Sequence, residues 1–182
     1  MPTAEPVPCQ NDVYHVQYPE DPFSGAVCEQ FPFRYGHGSA FFTCNDCRFL
    51  LVFGGEREEQ GPACSDLLVL DLESLKWWTV AVAGGPVTPR MYPCAIVAGN
   101  QLYVFGGRKL DTQGSYATLA TFSVVGYNAD THQWKWLVRD EPYPAHVPAL
   151  GYACDAAVVY GGKKIMLTPG CTEHSDDWEE VR

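Results

Sequence analysis

Cys44-Asn45-Asp46-Cys47 is the sharpest chemical signal in this sequence. Two thiols flanking a two-residue turn supply half of a tetrahedral zinc site, and Cys171-Thr172-Glu173-His174 offers a thiol and an imidazole that would complete a Cys3His set. Placement argues against it. Residues 44–47 fall at a turn between a first and a second strand, whereas 171–174 follow the end of a second strand. The two pairs would then sit about one strand length apart, roughly 17–20 Å, on opposite faces of the fold. Cys44 and Cys47 therefore read as free thiols or a cross-turn disulfide, with metal binding the weaker assignment. The five histidines share no spacing, so no Ser-His-Asp set is positioned. No glycine-rich loop opens a helix to cradle phosphate. Asp176-Asp177 with Glu179-Glu180 reads as a solvated acidic end. The motifs lean away from an enzyme, and no cofactor is expected.

Composition narrows the classes further. The chain has 182 residues, 46% hydrophobic and 13% aromatic, with 17 Gly and 14 Pro, which suits many short buried strands joined by tight turns. Twelve basic against 22 acidic side chains leave a net charge of −10, a poor match for phosphate backbones, so nucleic acid is not expected as a partner. The apolar runs are strand-length, too short to span a bilayer as helices, and no membrane association is expected. Met1-Pro2-Thr3-Ala4-Glu5 lacks the basic and apolar regions of a signal peptide, which points to a cytoplasmic location and reduced cysteines. Cys94 and Cys154 lie in apolar stretches and read as small core residues.

The elements that would position any site repeat along the chain. Leu51-Val52-Phe53-Gly54-Gly55 returns as Tyr103-Val104-Phe105-Gly106-Gly107, and Trp77 returns at Trp134, spacings of 52 and 57 residues. A unit of this length that cannot bury its apolar faces alone must stack on copies of itself. Four short strands per unit, separated by turns at Asn45-Asp46, Glu73-Ser74, Gly99-Asn100 and Asp130-Thr131, make one antiparallel blade. We place the first whole unit at 34–81 and the second at 89–138. A degenerate, incomplete third occupies 148–182, with Pro169-Gly170 where the others carry Gly-Gly. Residues 1–33 supply a half blade of outer strands, with Asn11 to Val16 and Ala26 to Gln30 as its strands.

The Gly pairs after an apolar strand, the Pro-Arg start at Pro89-Arg90, and Asp66 to Asp71 followed by Trp77 together resemble kelch-repeat proteins, over roughly residues 31 to 170. The departures are the altered glycine pair of the third copy and Pro93 where the first copy has His37. The resemblance implies an all-β, kelch-type β-propeller, here an incomplete ring of about three four-stranded blades. Family rings of six or seven blades make this about half a ring. Closure by a homodimer, by a larger assembly, or by the rest of a longer chain all stay open.

Within that fold each marked residue has a physical role. Gly54, Gly55, Gly106 and Gly107 allow positive φ and close backbone approach. Trp77 and Trp134 would bury large rings between blades, each indole N–H meeting a backbone acceptor. Arg34 and Arg90 open the innermost strands, where a guanidinium either bonds neighbouring carbonyls or offers a fork to an acidic partner. Tyr35, Tyr92 and Tyr152, with Arg108 and Lys109, complete the candidate binding set. The loops 56–61, 86–90, 109–116 and 142–148 are the expected recognition surface, because loops on a rigid scaffold carry binding. The expected function is non-catalytic binding of another protein. The alternative is a sugar-modifying or other small-molecule enzyme of the propeller class, galactose-oxidase-like or mutarotase-like, or a fragment of one, with Tyr35 and Tyr152 stacking on a pyranose.

Overall fold

A computed structural model describes residues 33–58, 61–112, 114–143, 157–160 and 164–167. Strands β1 (Gly38–Cys44), β2 (Cys47–Phe53), β3 (Leu67–Asp71) and β4 (Lys76–Val80) form one antiparallel sheet in that order. The two-residue strand β5 (Val82–Ala83) leaves this sheet. It is followed by β6 (Cys94–Ala98), β7 (Gln101–Phe105), a side hairpin of β8 (Arg108–Leu110) and β9 (Tyr116–Thr118), then β10 (Thr121–Asn128) and β11 (Gln133–Pro142). The second sheet runs β5-β11-β10-β7-β6, with β5 parallel to β11 and the other pairs antiparallel. A hairpin of β12 (Ala157–Tyr160) and β13 (Lys164–Leu167) follows.

Innermost strands stand side by side: β1 lies against β6, and β6 against β12. The chain is therefore all-β, with successive blades arranged as in a propeller: among the described residues, one four-stranded blade, a second of four strands with β5 added at its outer edge, and the hairpin of a third. Local chemistry sets the turns. Asn45 and Asp46 both take positive φ (49° and 64°), the requirement of a two-residue type I′ hairpin. The β3–β4 turn is held by Asp71, whose carboxylate accepts from the Glu73 and Ser74 amides and the Ser74 hydroxyl. Asn128 does the same for the β10–β11 turn through the Asp130 and Thr131 amides.

The core is the cleft between the two blades. Phe42, Phe49, Leu51, Phe53, Leu67, Val69 and Trp78 from blade one meet Leu102, Val104, Val125, Tyr127, Trp134 and Trp136 from blade two. Each such side chain contributes roughly 1.5–3 kcal/mol of transfer free energy. Phe42 stands edge-on to both Tyr127 and Trp134, with centroids 5.5 and 5.4 Å away. On the far side of blade two, Cys94 and Phe105 pack with Ile165 and Leu167 of the third hairpin.

Several expectations need correction. The deeply buried tryptophan of blade one is Trp78, at 3% exposure, while Trp77 points to the other face and is half-buried. Trp134 is buried as expected, yet among the described residues its indole N–H meets no hydrogen-bond partner instead of the backbone acceptor anticipated. Residues 109–116 are not a plain loop: β8 and β9 pair as a hairpin in register Arg108↔Thr118. Glu56, expected on an exposed loop, is buried, because its backbone bridges both Tyr35 and Ala63. The second sheet extends to Pro142, past the boundary drawn at 138, and it borrows β5 from the preceding connection. The strands expected within 1–33, Tyr152, and the 171–174 ligand pair lie outside the described residues.

Candidate functional site

Antiparallel blades present two rims. One rim carries the β1–β2, β3–β4, β6–β7 and β10–β11 turns. The other gathers the long connections, 54–66 after β2, 81–93 between the blades, and 106–120 after β7, which are woven together by backbone hydrogen bonds. Gly55 N–H donates to the Arg90 carbonyl (2.8 Å), Tyr92 N–H to Gly36, and Arg90 N–H to Cys64 (3.1 Å). Met91 and Arg108 exchange both their backbone bonds, at 2.9 and 2.8 Å. The glycine pairs make this approach feasible. A Cβ on Gly54 (φ +73°) would lie 2.4 Å from the Arg90 carbonyl oxygen, and one on Gly107 (φ +89°) would lie 2.6 Å from that of Met91.

Beneath the woven layer sit two arginine latches. The Arg34 side chain is fully enclosed and donates to the Gly54 carbonyl (3.1 Å) and, as a bidentate fork, to both oxygens of Asp66 (2.9 and 2.8 Å). Burial pushes the Asp66 carboxyl up, but the Arg34 hydrogen bond and charge, aided by Arg57, outweigh it and hold the group below its ordinary range. Arg90, equally enclosed, donates to the carbonyls of Gly106 (3.1 Å), Thr121 (3.4 Å) and Thr88 (3.3 Å), and pairs with Asp140. The two latches are chemically similar but differently sourced. Gly54 N–H bonds the Asp66 carbonyl and Gly106 N–H bonds that of Thr121, so Thr121 occupies the place of Asp66. Blade two recovers the missing charge from Asp140 on β11, held at φ +48° by Ser123 and Thr88. The forks of Arg34 and Arg90 are thus taken up by carboxylates of this chain, which gives them a framework role in place of direct partner binding.

What the rim presents outward is a small cationic and aromatic platform. The Arg108 guanidinium lies over the Tyr116 ring (4.1 Å) and the Tyr92 ring (4.7 Å). The Tyr92 ring in turn covers Gly36, where a Cβ would be 3.1 Å from it. Tyr116 is 41% exposed, and Lys109, also exposed, pairs with Ala117 on the other face of the hairpin. Lys109 and Leu110 wall a hollow of about 240 Å3 with Pro62, Ala63 and Pro89. Tyr35 is partly buried, its backbone bridged to Glu56. Of the binding set read from the sequence, Tyr92 and Arg108 come together, while Lys109 falls on the other face of the same hairpin. Tyr116 was not in that set. Its signal was the aromatic-cation pairing across the ends of the 108–116 segment.

The opposite rim holds the cysteine pair. Cys44 and Cys47 face each other as the last paired residues of β1 and β2, and both are free thiols. Among the described residues no three His, Cys, Asp or Glu side chains converge to hold a metal. Nearby, the Tyr127 hydroxyl and His132 Nδ1 are 2.8 Å apart.

A two-blade array whose inner strands adjoin and whose glycine pairs seat the next repeat is the kelch arrangement. The sequence profile described as the KLHDC2/KLHL20/DRC7 Kelch-repeats domain matches residues 3–178. The chain belongs to this kelch-repeat family. It is 29% identical over 155 residues to human "Rab9 effector protein with kelch motifs", covering 84% of this chain and 40% of that one. The Bos taurus protein of the same name is 32% identical over 162 residues, 87% of this chain and 42% of that one. "Host cell factor 1" of Rattus norvegicus is 33% identical over 148 residues, 71% of this chain and 7% of its own length. The chain therefore spans about two fifths of the first of these relatives and a small part of the last.

Proposed function

We propose that this chain is a non-catalytic protein-interaction module that docks a partner on the rim built from 54–66, 81–93 and the β8–β9 hairpin. The observation that carries this reading is the platform of Tyr92, Arg108 and Tyr116, with Lys109 of the same hairpin walling the Pro62–Pro89 hollow, all mounted on a backbone weave that leaves them little freedom. Rigid aromatic and cationic side chains give contact area at low entropic cost. The partner surface it suits carries a carboxylate opposite Lys109 and an apolar group for the Pro62–Pro89 hollow. One relative is named an effector of Rab9, a protein-recognition role, and the same class of role is assigned here without transferring the partner.

A cytoplasmic setting goes with this reading, as does closure of the ring by a second copy, a larger assembly or further blades. Cell fractionation tests the first. Light scattering tests the second, since a stable monomer of one chain would remove self-closure. Docking itself is tested by the pair Lys109→Glu and Tyr116→Ala, compared with Arg48→Glu on the opposite rim. Partners captured by the wild type should be lost from the first two and kept by the third, with all thermal transitions unchanged. Equal capture by all four proteins would sink the assignment.

A further inference from the structure

We propose that Cys44 and Cys47 form a reversible dithiol–disulfide pair, a modification site whose reactant is a small disulfide such as glutathione disulfide. The site is separate from the docking rim and lies at the opposite end of the strands. Its geometry is set by the backbone. Cys44 and Cys47 are direct Cα partners across β1 and β2, flanking the Asn45-Asp46 turn. Direct antiparallel partners have Cα atoms about 4.5–5.5 Å apart, inside the roughly 4.4–6.8 Å range that a disulfide bridges. Two positive-φ residues fix the turn, so the register does not slide. No other described cysteine has this arrangement: Cys94 pairs with Phe105, and Cys64 lies in the 54–66 connection.

The two thiols are unequal. Cys47 is exposed, whereas Cys44 is half-buried and packs against the inter-blade core. Burial, and then the charge of Cys47, push the Cys44 thiol up. Burial and then the charges of both sulfurs push the neighbouring Tyr127 phenol up as well, which places the pair beside the Tyr127–His132 contact. This asymmetry defines an order of events. The Cys47 thiolate attacks one sulfur of glutathione disulfide, forming a mixed disulfide and expelling a glutathione thiolate. That step removes the Cys47 charge, one of the two causes that hold the Cys44 proton. Cys44 then loses its proton to water and attacks the Cys47 sulfur, expelling the second glutathione thiolate. Two protein thiols and one glutathione disulfide become one protein disulfide and two glutathiones.

The test uses the whole chain in glutathione buffers, quenched in acid, alkylated with N-ethylmaleimide and digested with trypsin. Both cysteines fall in the single peptide 35–48. In excess glutathione disulfide that peptide should lose two hydrogens and take up ~tenfold less alkylating agent than in excess glutathione, with dithiothreitol restoring it. Cys44→Ser should stop at a glutathione adduct on Cys47, and Cys47→Ser should leave Cys44 alkylatable. Thermal transitions of the reduced proteins should match, because both changes lie at a hairpin end. Wild-type peptide that stays doubly alkylated in excess disulfide, or that keeps a stable glutathione adduct on Cys47, overturns the proposal.

Discussion

Replacing Asp66 with alanine strands a cation in the interior. The Arg34 side chain is 0% exposed and loses both of its charge-assisted bonds to Asp66, at 2.9 and 2.8 Å, while its bond to the Gly54 carbonyl remains. Removing one member of a fully buried ion pair costs about 3–5 kcal/mol. Asp66 is 25% exposed, so water reaches the space it vacates, and the expected loss falls to about 2–3 kcal/mol. The exposed Arg57, 3.6 Å from the same carboxylate, adds little because solvent screens it. Replacing both partners, Arg34→Met with Asp66→Ala, removes the stranded charge and should cost less than the two single changes added together. Urea unfolding followed by tryptophan fluorescence measures all four proteins, and unchanged m-values license the comparison. A loss below about 0.5 kcal/mol for Asp66→Ala, or strict additivity in the cycle, would refute the latch as a source of stability.

The same carboxylate gives a pH signature. Its folded value lies below the ordinary ~3.9, so its contribution is complete above that pH and is lost as pH falls through the lower folded value. Asp66→Asn should therefore flatten the acid limb of the unfolding midpoint between about pH 5 and pH 2; an unchanged slope would exclude Asp66 as its origin. Trp134→Ala should cost about 3–5 kcal/mol and Trp77→Ala about 1 kcal/mol by the same denaturation assay, since only the former is sealed in the inter-blade cleft. Gly54→Ala should cost about 2–3 kcal/mol and Gly99→Ala about 1–2 kcal/mol. Both need positive φ, but a Cβ at Gly99 meets nothing within 4 Å, so equal losses would mean that the close approach to Arg90 is unimportant.

The strands around Leu51 to Phe53 and Tyr103 to Phe105 were legible because each is a short apolar run ended by a glycine pair, and local chemistry alone decides that. The tryptophans were less so. Pairing ladders align Leu50, Leu70 and Trp77 in blade one with Leu102, Val125 and Trp136 in blade two, so Trp134 has no counterpart in Trp77. Adjacent strand residues point to opposite faces, and register shifts at Val124 change the count between turn and ladder. Spacing along the chain cannot see such a shift. Asp140 was hidden for a related reason. The acidic partner of Arg90 comes from within β11, whereas that of Arg34 immediately precedes β3, and Thr121 stands where a matching aspartate would have announced it. The hairpin of β8 and β9 was missed because its three-residue strands, Arg108-Lys109-Leu110 and Tyr116-Ala117-Thr118, alternate too briefly to stand out from a polar loop.

Val82 and Ala83 bear on how such a protein could be cut or lengthened. The chain finishes one blade, visits the outer edge of the next at Trp134 and Lys135, and only then, through Gly84 and Gly85, travels to its inner strand. A cassette cut at the sequence bounds 89–138 would leave its own edge strand, Val82–Ala83, behind. The exchangeable piece, whether in a duplication or on a designer's bench, begins before Val82, and two blades joined this way should melt together instead of one after the other.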